Sequence, residues 1–123
     1  MLTLYFVRHG ETDWNVENRV QGQLDSKLTE KGTRDVLNLR TSIKNINWQA
    51  VYSSPSRRAL HTAELLTAQR IKIIEDNRIK EMNLGTFEGM TWDEIKNTIQ
   101  FSTKIIGTCH MNSVYALGKT FST

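Results

Sequence analysis

Trp48-Gln49-Ala50-Val51-Tyr52-Ser53-Ser54-Pro55-Ser56-Arg57-Arg58-Ala59-Leu60-His61-Thr62-Ala63 is the stretch on which the fold turns. Trp48 to Tyr52 predicts a short strand. Ser54-Pro55 predicts a helix start, with Ser54 as cap and Pro55 at the first helical position, where its missing N–H removes no bond. Ala59, Ala63 and Leu66 give that helix its inner face. Toward the C-terminus, residues 71–74 (Ile-Lys-Ile-Ile) predict another strand, and Thr91 a cap for a short helix through about Lys96. Toward the N-terminus, Val36, Leu39, Ile43 and Ile46 recur at helical spacing behind a Thr29 cap and Glu30, so a helix is expected over 30–45. Residues 2–7 form a short, nearly continuous apolar run, the pattern of a strand buried on both faces. Residues 8–28 are polar, punctuated by Gly10 and Gly22, and predict a long loop, a kind of segment that in compact domains often carries function. The order strand, helix, strand, helix, strand implies an α/β fold with a parallel sheet covered by helices.

Composition narrows the class. A chain of 123 residues suits one domain at most. With 38% hydrophobic and 24% charged residues, it has the balance of a soluble globular protein. The 16 Lys and Arg against 13 Asp and Glu leave a formal charge of +3. That charge is spread along the chain, and the longest basic cluster is Arg57-Arg58. Nucleic-acid binders concentrate basic residues on one face, so no nucleic-acid partner is expected; a few convergent arginines would instead hold a small anion. Cys109 is the single cysteine, which excludes an internal disulfide and predicts a free thiol in a reducing compartment. The apolar start, residues 1–7, is too short for a membrane span and has no basic leader, so a cytoplasmic protein without a membrane partner is expected.

Ligands in an open parallel sheet bind at the carboxyl ends of the strands. Three polar groups fall there: Arg8-His9-Gly10, then Ser53 to Arg58, then Glu81. Taken singly, each has an ordinary reading: His9 and Arg58 as surface or helix residues, Ser53 and Ser54 as turn and cap, His61 as helix surface. Together they bring an imidazole, guanidiniums and a carboxylate to one rim. Guanidiniums match phosphoryl oxygens in bidentate fashion. Gly10, without a side chain, would let backbone amides approach an anion. A neutral imidazole whose second nitrogen is held by an acceptor is a competent nucleophile at phosphorus. A carboxylic acid, Glu81, would supply the proton to the leaving oxygen.

Arg8-His9-Gly10-Glu11-Thr12 with Asn15 resembles the R-H-G-x-T-x-x-N signature of the histidine phosphatase superfamily, the phosphoglycerate-mutase-like proteins. Further matches follow in order. They are Gln21-Gly22 with Asp25 and Leu28-Thr29-Glu30-Lys31-Gly32; Ser53-Ser54-Pro55 with Arg58-Ala59 and Thr62-Ala63; and Glu81 with Gly85, Phe87, Glu88 and Gly89. The resemblance covers about residues 1–97. It implies a three-layer sandwich with a mostly parallel sheet, incomplete at the C-terminus. It implies phosphoryl transfer through a phosphohistidine at His9, as a phosphatase or a mutase acting on a small phosphorylated metabolite. Arg8, Asn15 and Arg58, with Gly10 and Thr12, would bind the phosphate, Glu81 would act as proton donor, and Gln21 and Gly22 would shape the substrate rim. No metal or organic cofactor is implied.

Two features depart from the family pattern. Lys27 stands where a proline is usual before Leu28. The second pocket histidine, expected late in the chain after a buried strand, has only His110 as a counterpart, without the following glycine. Residues 98–123 are thus expected to be a divergent tail. Codons for residues 98–121 can be chosen so that another reading frame spells a family-like run, which gives a frameshift as a further reading of the tail, beside that of His110 as a chance histidine in it. The alternative reading is a truncated phosphate-binding remnant with impaired catalysis. Exposed strand edges in such a remnant promote self-association, so a homodimer is the partner arrangement expected beyond the substrate.

Overall fold

The computed structural model describes the backbone of residues 1–106 and the side chains of residues 1–100. Cys109 and His110 lie outside the described residues. The elements in order are α1 (Asp13–Val16), α2 (Glu30–Ser42), β1 (Val51–Ser53), α3 (Arg57–Thr67), β2 (Ile73–Glu75), two 3-10 turns (Asn77–Ile79 and Gly85–Phe87) and α4 (Trp92–Ile106). Met1–Thr91 forms one compact unit. A second unit begins at Trp92, and its described part is α4.

The strand–helix–strand reading of the central stretch holds. β1 and β2 pair in parallel, with Val51 opposite Ile73, Tyr52 opposite Ile74 and Ser53 opposite Glu75. Parallel strands need a crossover connection, and α3 provides it. α2 packs on α3, and Arg40 Nη1 donates to the Leu65 carbonyl across that contact (3.2 Å). Val20 and Val36 are buried at the centre of the first unit.

Boundaries moved where side chains found competing partners. α2 starts as expected: the Thr29 hydroxyl accepts from Gly32 N at 2.9 Å. It stops at Ser42 rather than 45, where the Thr41 and Ser42 hydroxyls bond the carbonyls of Leu37 and Asn38. α3 starts at Arg57 and not at Pro55. Its N-cap is Ser56, whose hydroxyl makes no capping bond. The first amides donate instead to a distant carboxylate, Asp25, from Arg57 N at 2.8 Å and Arg58 N at 3.4 Å. The 8–28 segment is more ordered than a loop. It holds α1, capped by a Thr12–Asn15 capping box, and bridges Thr12 to Leu28 and Arg19 to Thr91. α4 runs on past Lys96 to Ile106.

Residues 2–7 are the main correction. The segment joins no ladder, and among the described residues the sheet has only β1 and β2. Leu2, Leu4, Tyr5, Phe6 and Val7 are exposed, Phe6 at 92%. Apolar residues make a buried strand only when neighbouring strands and covering helices exist to receive them, and this run lacks the strands. Its one ordered ring contact is Tyr5 against Trp48, edge to face at 5.3 Å. Tyr5, Phe6, Val7 and Trp48 line an open apolar groove with Leu39 and Ile43.

Candidate functional site

His9 follows the apolar run and is half-buried. Its Nδ1 lies 2.7 Å from the Gly10 carbonyl. A carbonyl only accepts, so Nδ1 carries the hydrogen and Nε2 keeps its lone pair. Burial holds the imidazole below its ordinary 6.5; the charges of Arg58 and Arg8 push the same way, while the Gly10 bond and the Asp25 charge oppose them. The ring is therefore neutral at pH 7, the form that can attack an electrophile.

Gly10 serves a different purpose from the one expected. Its amide does not wait for an anion but donates to Thr62 Oγ1 at 3.1 Å. A Cβ at this position would come within 3.0 Å of the Gly32 carbonyl oxygen and of Val36 Cγ2. The glycine lets the segment carrying His9 lie directly on α2. Thr62 is itself buried on α3, and its hydroxyl donates to the Arg58 carbonyl at 2.7 Å.

Thr12 has no exposed surface. Its hydroxyl donates to Asn15 Oδ1 at 2.9 Å and accepts from Gln21 Nε2 at 2.9 Å. With its partners inside the protein, it holds Asn15 and Gln21 in place rather than facing a ligand. Asn15 Oδ1 also accepts from Thr12 N at 3.0 Å, so the carboxamide oxygen is fully engaged. Gln21 is buried, and its Oε1 accepts from Ser26 at 3.2 Å. Gly22 adopts φ +53, a left-handed conformation where a side chain would be strained and a Cβ would collide with the Glu88 carboxylate. Its carbonyl turns toward Arg58.

Among the described residues Arg58 is the most deeply set charge, 4% exposed. Nη1 donates to the Leu24 carbonyl at 2.7 Å and to Asp25 Oδ1 at 2.8 Å, and Nη2 to the Gly22 carbonyl at 2.8 Å. Nε is buried and finds no acceptor among the described residues. Arg8 is exposed beside His9. Glu81 sits on the loop between the two 3-10 turns. It is exposed, and its Oε1 accepts from the Met82 amide at 3.0 Å. The charges acting most strongly on His9 are those of Arg58, Arg8 and Asp25. Glu81 does share a small cleft with Gly22, Gln23, Asp25, Pro55, Ser56 and Lys80.

The structure thus brings His9, Arg8 and Arg58 together, with Asn15, Gln21 and Gly22 built into the frame around them. Glu81 lies in the cleft beside Gly22 and Asp25. Asp25, Thr62 and Glu88 carry more of the site than sequence reasoning assigned them. Glu88 Oε1 accepts from the amides of Gln23 (2.9 Å) and Leu84 (3.0 Å), which lower its pKa and tie the 22–23 turn to the 81–88 loop. All three residues stand in the quoted motifs, and that spacing was their only signal. Among the described residues, no group of three or more His, Cys, Asp or Glu side chains is placed to hold a metal ion. Likewise, no helix there is long and apolar enough to cross a membrane.

Comparison with known proteins bears on the fold and the family. A protein named probable phosphoglycerate mutase GpmB, from Escherichia coli O1:K1 / APEC, is 42% identical over 96 residues, which make up 77% of this chain and 45% of that protein. The solved structure of Bacillus stearothermophilus YhfR superposes with a TM-score of 0.71 at 46% identity, covering 78% of this chain and 49% of that one. A mycobacterial glucosyl-3-phosphoglycerate phosphatase solved with VO3 gives a TM-score of 0.69 at 34% identity, covering 73% and 45%. The chain therefore spans about half the length of the relatives it matches. The model of the histidine phosphatase superfamily (branch 1) matches residues 4–113, and the chain belongs to that superfamily.

Proposed function

We propose that this chain acts on phosphate monoesters of small metabolites through a phosphohistidine at His9. The observation that carries the reading is the His9 imidazole itself: its Nδ1 is engaged by the Gly10 carbonyl, so that Nε2 keeps its lone pair, and the charges of Arg58 and Arg8 act on the ring. In the first step Nε2 bonds to phosphorus, the ester P–O bond breaks, and the leaving oxygen takes a proton from the Glu81 carboxyl. In the second, water attacks the phosphohistidine and returns a proton to Glu81; inorganic phosphate leaves and His9 is restored. A substrate hydroxyl in place of water would make the reaction a mutase step. Arg8, Arg58 and Asn15 Nδ2 meet the charge on the phosphoryl oxygens, the main source of acceleration in such transfers. The names of two relatives contain phosphoglycerate, which supports a small phosphorylated acid or its derivative as substrate.

The test is hydrolysis of p-nitrophenyl phosphate by the purified chain, with His9→Ala alongside. Turnover should fall by more than about a thousandfold in the variant. Because burial lowers the His9 pKa, the nucleophile keeps its lone pair to lower pH than an ordinary imidazole, and the rate should hold further into mildly acidic solution. Equal rates in both proteins would refute the assignment.

One observation favours a second reading, phosphate binding without turnover. Glu81 is exposed and folded onto its own loop. A folded protein that binds vanadate but hydrolyses nothing would establish that reading.

A further inference from the structure

A guanidinium has five hydrogens to donate. In Arg58 both hydrogens of Nη1 are taken, by the Leu24 carbonyl and Asp25 Oδ1, and one of Nη2 by the Gly22 carbonyl. What is left is one hydrogen on Nη2 and the one on Nε, which is buried without an acceptor among the described residues. These two atoms lie on the same edge of the planar group, at the spacing that suits two oxygens of one phosphoryl group. A buried donor left unpaired is costly, and satisfying it on binding adds selectively to the bound state.

Asp25 is the charged partner among the three that hold this guanidinium. Its Oδ1 holds Nη1 at 2.8 Å, and the same carboxylate receives the amides of Arg57 and Arg58. It thus fixes both ends of Arg58: the backbone at the start of α3 and the head of the side chain. Resting on the phosphoryl-site reading above, we infer that Asp25 is a positioning residue that locks Arg58 so that only its Nε–Nη2 edge is offered to the substrate phosphate. Asp25 touches no substrate in this account, and its effect runs through Arg58.

Inorganic phosphate is the probe, titrated into the full chain by calorimetry. Asp25→Asn keeps an acceptor for the helix amides but removes the charge that holds Nη1. It should retain its helical circular dichroism and bind phosphate about tenfold more weakly, the usual scale for a hydrogen bond to a charged group. In the parent the Arg58 Nε–H nitrogen-15 signal should move when phosphate is added, and in Asp25→Asn it should move less; loss of a merely structural contact would leave that response unchanged. Asp25→Asn binding phosphate as tightly as the parent overturns the inference and leaves the phosphoryl site standing. No phosphate binding by the parent overturns both. Should Asp25→Asn fail to fold, the parent alone decides the matter by nitrogen-15 NMR. The Arg58 Nε–H signal must move when phosphate is added, and a signal unmoved at saturation overturns the inference.

Discussion

The frame around Arg58 and the run at residues 2–7 are opposites. In the first, polar side chains are enclosed: Thr12, Gln21, Arg58 and Thr62 are all buried, and almost every donor has a partner. In the second, leucine, aromatic and valine side chains stand in solvent. The order of this unit therefore rests on a hydrogen-bonded polar centre, with Val20 and Val36 as its buried apolar members. The lesson lies in where partners are found. Arg58 reaches Gly22, Leu24 and Asp25 inside the described residues, whereas a strand such as 2–7 needs neighbouring strands, and none of the described ones pairs with it. Enclosed polar groups lose much when one partner is removed, and exposed apolar groups lose little.

The contrast can be broken at three places. Arg58→Ala would strand Asp25 and the carbonyls of Gly22 and Leu24; with Asp25 still partly in water, the loss should be about 3 kcal/mol in urea unfolding. A loss below about 1 kcal/mol would mean that the polar centre does not hold the unit together. Gly32→Ala sharpens the picture. Its Cβ would press on the Glu11 backbone, 2.7 Å from Glu11 N, and backbone cannot swing aside like a side chain. About 2 kcal/mol should be lost, read as a lower thermal midpoint. Phe6→Ser should change stability by no more than about 0.5 kcal/mol and reduce binding of a hydrophobic dye. A loss above 2 kcal/mol there would show that Phe6 is packed against a core, and the comparison would fail.

The elements around residues 48–75 were legible because they are local. The short segments 48–52 and 71–74 predict β1 and β2, helical spacing between them predicts α3, and Thr29 with Glu30 predicts the start of α2. The start of α3 was misplaced because Ser54-Pro55 is a sound cap signal that lost to Asp25, a residue 32 positions from Arg57. At Gly10 the sequence predicts backbone amides approaching an anion, whereas its amide donates to Thr62 and α2 fills the space a side chain would need. The candidate site was legible as a set of motifs, His9, Arg8 and Arg58 above all, but not as a network.

What this sequence determined alone was therefore the class of fold, the superfamily and the identity of the residues gathered near His9, all carried by short-range pattern and residue type. The tertiary structure alone decided which hydrogen-bonding atoms are already engaged. The Gly10 carbonyl takes Nδ1–H of His9, and Gly22, Leu24 and Asp25 take three hydrogens of Arg58. The reason is physical. A residue type states how many hydrogen bonds a side chain can make, while only the packed chain states which of them are already made.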